Sequence, residues 1–227
     1  ALAFPIEQPQ FRLGRLGGIV DPARDLVPGS NHHLFGLDTG LTVRDARGAG
    51  VGLCALDDPL VSLDVPGGWR YARVFVPRRA RVYVNLFNNQ WTTNFRLWNQ
   101  GTWTSRFRLW PVARGARDEQ ALTTPSLAAR FPLRTAWCDG PAGSLPPSRA
   151  GLTLSRPGVR VTAFGPNPDG PGTVLRLWEY AGQAGRCRVR LPEGMSAETI
   201  QPVDLRGQRR GEPIRVRDGR FEVELKP

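Results

Sequence analysis

Residues 186–191 alternate strictly between apolar and charged. Cys187, Val189 and Leu191 fall on one side of an extended backbone, and Arg186, Arg188 and Arg190 on the other. A two-residue period with one apolar side describes a strand half exposed to water, and it makes Cys187 a small core residue rather than a reactive thiol. The same alternation fills 214–217 and 220–225, joined by Asp218-Gly219, the pair favoured in a two-residue type I′ hairpin. That turn sets Val216 opposite Phe221 and Ile214 opposite Val223. With further strands at 159–164, 173–180 and 200–205, residues 152–227 predict a small antiparallel sandwich.

Upstream, the pattern predicts strands at 41–45, 51–56, 60–63, 71–76 and 81–87. In 81–87, Val82, Val84 and Leu86 share one side and Tyr83, Asn85 and Phe87 the other, so neither side is wholly polar. A strand of this kind is covered on both faces, as in a large sandwich. Residues 103–110 alternate similarly, with Trp103, Phe107 and Leu109 opposite Thr104, Arg106, Arg108 and Trp110. Residues 1–40 are interrupted by Gly14, Gly17, Gly18, Asp21-Pro22, Pro28-Gly29 and Gly40, which predicts irregular edge strands and loops. After Trp110 a polar stretch predicts a short helical turn at 118–122, followed by a strand at 131–137. The Pro- and Gly-rich run 138–151 then reads as a linker. The expected fold class is all-β: part of a large antiparallel sandwich over 1–140, a linker over 141–151 and a small sandwich over 152–227.

Composition adjusts this picture in places. With 26 Gly and 21 Pro, many short strands joined by turns is the natural architecture. The net charge of +11 raises anionic partners, yet of 31 basic residues only Lys226 is lysine. The arginines are spread along the chain, with small knots at Arg78, Arg79, Arg81 and at Arg206, Arg209, Arg210. No stacking platform or groove-reading helix accompanies them, so nucleic acid is not the expected partner. No apolar run approaches the roughly 20 residues a membrane span needs. The chain opens on Ala1 rather than Met, which suits a processed chain or a piece of a longer one, and the compartment is left undecided. Cys54, Cys138 and Cys187 are too widely spaced for a disulfide framework or a zinc motif; a single bridge among them stays open. His32 and His33 are the only histidines, and adjacent residues point to opposite faces of a strand, which disfavours a shared metal ion.

Candidate chemistry concentrates in 83–110, which holds Trp91, Trp98, Trp103 and Trp110, four of the seven Trp, interleaved with Asn and Gln. Amides bond sugar hydroxyls or buried backbone, and aromatic rings stack on sugars or fill a core. Glycoside hydrolysis uses two carboxyl groups roughly 5 to 9.5 Å apart. Asp57, Asp58, Asp64 and Glu179 are the candidates, but they form no diagnostic pair, and Asp57-Asp58-Pro59 has the shape of a turn. No nucleophile elbow, phosphate loop or metal-ligand spacing is present, so no catalytic and no metal residue is assigned.

Three segments carry a resemblance. Asn88-Asn89-Gln90-Trp91-Thr92-Thr93-Asn94-Phe95 followed by Gly101 resembles an element in the C-terminal half of bacterial proteins similar to glycoside hydrolase family 38, the retaining α-mannosidases. Residues 42–63 resemble a strand pair of that family, and 161–182 its closing V-T-A…L-R-L-W-E…G strand. The resemblance implies a galactose-mutarotase-like large sandwich with a smaller sandwich attached, placed C-terminal to an α/β barrel that holds the nucleophile, the acid/base and zinc. This chain has no such barrel, so no cofactor is expected in it and no turnover from it alone. Its implied partners are the N-terminal catalytic half and a mannoside-like carbohydrate. Asn88, Asn89, Trp91, Thr93 and Asn94 would supply sugar contacts, and Trp98 and Trp103, which bracket Asn99-Gln100-Gly101, would stack on sugar from a loop tip. Two alternatives stand beside this: the 88–95 element as a structural corner of the sandwich, and the chain as an autonomous carbohydrate-binding or purely structural module. A sandwich missing its first strands would also expose an apolar face or an unpaired edge and self-associate.

Overall fold

A computed structural model describes residues 1–67, 74, 76–87, 98–141, 143–144 and 146–227. The chain is all-β, with one helical insertion among the described residues, and divides into two compact units, Ala1–Thr135 and Ala136–Pro227.

The first unit contains β1 (Leu2–Ala3), β2 (Gln10–Arg15), β3 (Gly18–Val20), β4 (Phe35–Gly36), β5 (Leu41–Arg44), β6 (Gly50–Ala55), β7 (Leu60–Leu63), β8 (Arg81–Val84) and β9 (Phe107–Val112). Two antiparallel sheets result, a five-stranded one in the order β3-β2-β5-β6-β9 and a four-stranded one in the order β1-β8-β7-β4. Alternation decides which side chains meet between them. Phe11, Leu13, Leu41, Val43 and Leu53 from the first sheet join Phe35, Val61, Leu63 and Val82 from the second in one buried core.

The opposite face of the five-stranded sheet is also covered. A π-helical turn, Glu119–Thr123, runs into α1 (Thr124–Arg130) and packs on β2, β5, β6 and β9. Small residues make room for it. A Cβ on Gly52 would stand 2.1 Å from the Trp110 indole, and one on Gly40 would stand 2.5 Å from Leu53 O and Ser126 Oγ. The Trp110 Nε1–H donates to Ala121 O at 2.8 Å, and the Arg130 guanidinium donates to Thr39 O and Ala55 O, tying the helix to the sheet. Charged groups on this face are paired, while the Thr42 and Ser126 hydroxyls are buried with no hydrogen-bond partner among the described residues. Arg44 meets Asp118 at 2.8 Å, and Arg12 meets Asp21 at 2.9 Å.

Several expectations for this unit are corrected. Residues 1–40 do not form only edges and loops. β2 is interior to its sheet and buries Phe11 and Leu13, because Arg12, the charged residue between them, finds Asp21 and Asp118 on the other face. The strand expected at 81–87 stops at Val84, and Leu86 and Phe87 are exposed. Most of 71–76 lies outside the described residues. The strand expected at 103–110 begins at Phe107. No strand forms at 131–137: Phe131, whose N–H donates to Leu127 O, closes the helix, and Phe131, Leu133 and Trp137 are exposed outside any strand of the described residues.

The second unit contains β10 (Thr153–Leu154), β11 (Val159–Pro166), β12 (Thr173–Glu179), β13 (Gly185–Arg190), β14 (Thr199–Ile200), β15 (Ile214–Arg215) and β16 (Arg220–Leu225). They make a three-stranded sheet, β10-β13-β16, and two ribbons, β11–β12 and β14–β15. Val189, Leu191 and Phe221 form the buried centre, against which Leu175, Leu177, Ile200, Ile214 and Val223 pack. The hairpin turn is as expected: Asp218 and Gly219 have φ of 50° and 68°, and Arg217 pairs with Arg220. The ladder expected beyond it does not continue. Ile214 sits opposite Ile200 and Val223 opposite Cys187, because each strand pairs elsewhere, β16 with the six-residue β13 and β15 with the two-residue β14, while keeping its apolar residues in the same core. The strand expected at 200–205 is cut to Thr199–Ile200 for the same reason, since the chain turns back at Asp204 to pair Val203 with Arg209.

Candidate functional site

β9 ends its sheet, and the face that carries the core on β6 continues onto it without cover. Leu109 stands directly opposite Leu53 in the ladder, yet Leu53 is 0% exposed and Leu109 52%. Phe107, opposite Ala55, is also exposed. Leu86, Phe87, Trp98 and Trp103 add further exposed apolar surface in the same unit. The Phe87 and Trp103 rings lie 6.4 Å apart between centroids, tilted by 39°, an interacting aromatic pair at the surface.

Of the sequence-selected residues, Trp98 is 75% exposed and Trp103 52%, as a loop-tip position requires. Gly101 between them has φ of 123°, a backbone open to glycine, and its α-carbon faces the Trp103 ring. Asn88, Asn89, Trp91, Thr93 and Asn94 lie outside the described residues. Trp110, the remaining Trp of this stretch, serves the helix contact rather than the surface.

A polar clamp borders Trp103. The Arg106 guanidinium forks onto Asp57, Nε to Oδ2 at 3.0 Å and Nη2 to Oδ1 at 2.7 Å, and the Arg106 N–H donates to Oδ2 at 2.8 Å. The Ser105 hydroxyl donates to Asp58. These hydrogen bonds, from the Arg106 side chain first and its backbone second, bring Asp57 down to about 2. A carboxyl lowered in this way is poorly suited to donate a proton, and Asp57-Asp58-Pro59 forms the short connection between β6 and β7. Sequence patterning gave no signal for Arg106 as the partner of Asp57, because the two meet only through the register of β6 and β9.

The other carboxylates are engaged in structure too. Asp64 sits in the left-handed region at φ of 64° and is buried. Burial pushes its carboxyl up, but the Arg78 N–H and the Arg79 guanidinium outweigh that and hold it low. Glu179, in the second unit, accepts the N–H groups of Ala181, Gly182 and Gln183 at 3.0–3.2 Å and pairs with Arg156 at 3.1 Å. It is a loop organiser with its lone pairs occupied.

No group of three or more His, Cys, Asp or Glu that could hold a metal exists among the described residues. His33 contacts Asn31 through Nδ1, and His32 buries both ring nitrogens. The three cysteines are free thiols. Cys54 and Cys187 are buried, and burial raises the Cys54 thiol against the opposing pull of Arg130, which leaves it a core residue. No helix among the described residues is long and apolar enough to cross a membrane.

Residues 158–227 match the family model described as the glycosyl hydrolases family 38 C-terminal beta sandwich domain. The matched span covers β11 to β16 and includes the third resembling segment, 161–182; the other two segments lie outside it. No curated protein matches this chain, and no solved structure does.

Proposed function

We propose that these 227 residues are the β-sandwich region of an α-mannosidase-like glycoside hydrolase, packing against a catalytic half and presenting Trp98 and Trp103 to substrate sugar. The carrying observation is the family match over the second unit, whose β11–β12 ribbon holds the resembling strand. The exposed Trp98 and Trp103 support the sugar-facing part of the proposal, since an exposed indole offers a flat apolar face to the C–H side of a pyranose. The resemblance implies that the family's zinc belongs to the catalytic half, and no step is assigned through it here.

Two measurements test this reading. The chain alone should leave aryl α-mannosides intact with and without added zinc; zinc-dependent turnover by it would overturn the assignment. Titration with mannosides, followed by Trp fluorescence, separates contact from scaffolding. A response lost in Trp98→Ala and Trp103→Ala supports sugar stacking by this unit on its own, the autonomous-module reading that the two exposed rings favour. No response at millimolar sugar, in the chain alone and after co-expression with the catalytic half, removes the sugar-facing role.

A further inference from the structure

The outer face of β13 and β16 carries its charges in ladder register. At two successive rungs the register pairs opposite charges: Arg186 faces Glu224, and Arg188 faces Glu222, with a guanidinium–carboxylate contact of 2.7 Å in the second pair. The next rung breaks the rule. Arg190 stands directly opposite Arg220, and Arg220 in turn pairs with Arg217 across the hairpin. Directly opposed residues share a face, so Arg190, Arg220 and Arg217 form a transverse row over neighbouring chain segments. Arg215, two residues before Arg217, lies opposite Thr199 in the adjoining β14–β15 ribbon. All four are exposed, and none of them has an ion pair with an acidic side chain among the described residues, the turn's own Asp218 included.

Like charges directly opposite one another destabilise a sheet, while the Arg–Glu rungs alongside show the stabilising alternative in the same strands. Folding therefore does not account for the row. Guanidinium groups offer planar forks that match carboxylate geometry. Directly opposed positions set these forks at about 4.5–5.5 Å between Cα atoms across the row, close to the roughly 5–6 Å between side chains three or four apart on a helix. The outward positions of these rungs hold charged side chains only, Arg186, Arg188, Arg190, Arg220, Glu222 and Glu224, so the stacking surface that single-stranded nucleic acid uses is missing from them. We propose that Arg190, Arg215, Arg217 and Arg220 form a docking surface for an acidic polypeptide segment, one that presents carboxylates at helical spacing. This surface is separate from the sugar-facing role and does not depend on it.

The test uses the full 227-residue chain and a labelled helical peptide with Glu at i, i+4 spacing, read by fluorescence anisotropy at low ionic strength. The expected result is salt-sensitive binding of the Glu peptide and none of its Gln counterpart. Arg220→Glu should weaken binding at least about tenfold, the effect of losing roughly one charge-assisted contact. It should not lower the thermal midpoint, because it places Glu between Arg190 and Arg217. Arg217→Gln gives a milder loss and serves if Arg220→Glu fails to fold. Arg81→Glu, the same charge change on the first unit, should bind as the parent does. Absence of peptide binding, an equal loss in Arg81→Glu, or equal or tighter binding of a DNA duplex would each overturn the proposal.

Discussion

The two units solve the same problem with unequal resources. The five-stranded sheet of the first is sandwiched between a second sheet and a helix, so residues on both of its faces are buried: Leu41 and Val43 on one, Thr42 and Cys54 on the other. Among the described residues of the second unit, Val189, Leu191 and Phe221 form one small buried cluster under a ring of half-buried neighbours, with Cys187 of β13 and Val159 of β11 also buried. Where covering elements are plentiful, polar groups are drawn inward and paired, as with Arg12, Arg44 and Asp118. Where they are few, charges stay on the outer face and pair in ladder register, as Arg188 does with Glu222. A small core also leaves less margin, since stability is a small difference between large terms.

This contrast can be broken by experiment. Phe221→Ala should cost about 3–5 kcal/mol and unfold the second unit while the first keeps its own transition; one joint transition that merely shifts would show the units to be a single cooperative block. The ladder pair Leu53 and Leu109 sharpens the comparison inside the first unit. Leu53→Ala should cost about 3 kcal/mol in urea unfolding and Leu109→Ala under about 1 kcal/mol, because only the former leaves a cavity. Equal losses would mean that Leu109 is covered in solution. Glu179→Gln should cost the second unit about 2 kcal/mol, for it weakens bonds to three N–H groups and strips the charge opposite Arg156; an unchanged midpoint would count against its role as loop organiser.

The smallest effect concerns pH. Asp57 is lowered from its ordinary value near 3.8 to about 2 by Arg106, so the folded state holds the proton less tightly than the unfolded chain. The contribution of this clamp is present above about pH 4 and is lost as pH falls towards 2. Asp57→Asn should flatten that part of the acid unfolding profile relative to the parent; profiles that superimpose would remove the clamp.

Much of the second unit was legible in its sequence. The alternation of 186–191, the Asp218-Gly219 turn and the V-T-A…L-R-L-W-E segment identified strands, a hairpin and a family resemblance, and the family match over 158–227 agrees. These signals are local: a two-residue period and a left-handed turn are properties of adjacent residues. That Trp98 and Trp103 would be exposed could be expected on the same local grounds. The rest depended on what lies across space. Nothing near Phe11 in the chain says that β2 is interior, and nothing near Phe131 says that no strand waits to pair with 131–137.

By itself, then, the sequence determined the strand-rich class, the inward and outward sides of β13 and β16, and the turn that joins β16 to what precedes it. Alternation assigns a side to each residue without saying what, if anything, covers that side. Only the tertiary structure decided that Leu53 is sealed while its ladder neighbour Leu109 faces solvent, that the Trp110 indole of β9 bonds to the helical insertion, and that Asp57 is clamped by Arg106. It also aligned Arg190, Arg220 and Arg217 in one row, because register, unlike period, is set by the partner strand.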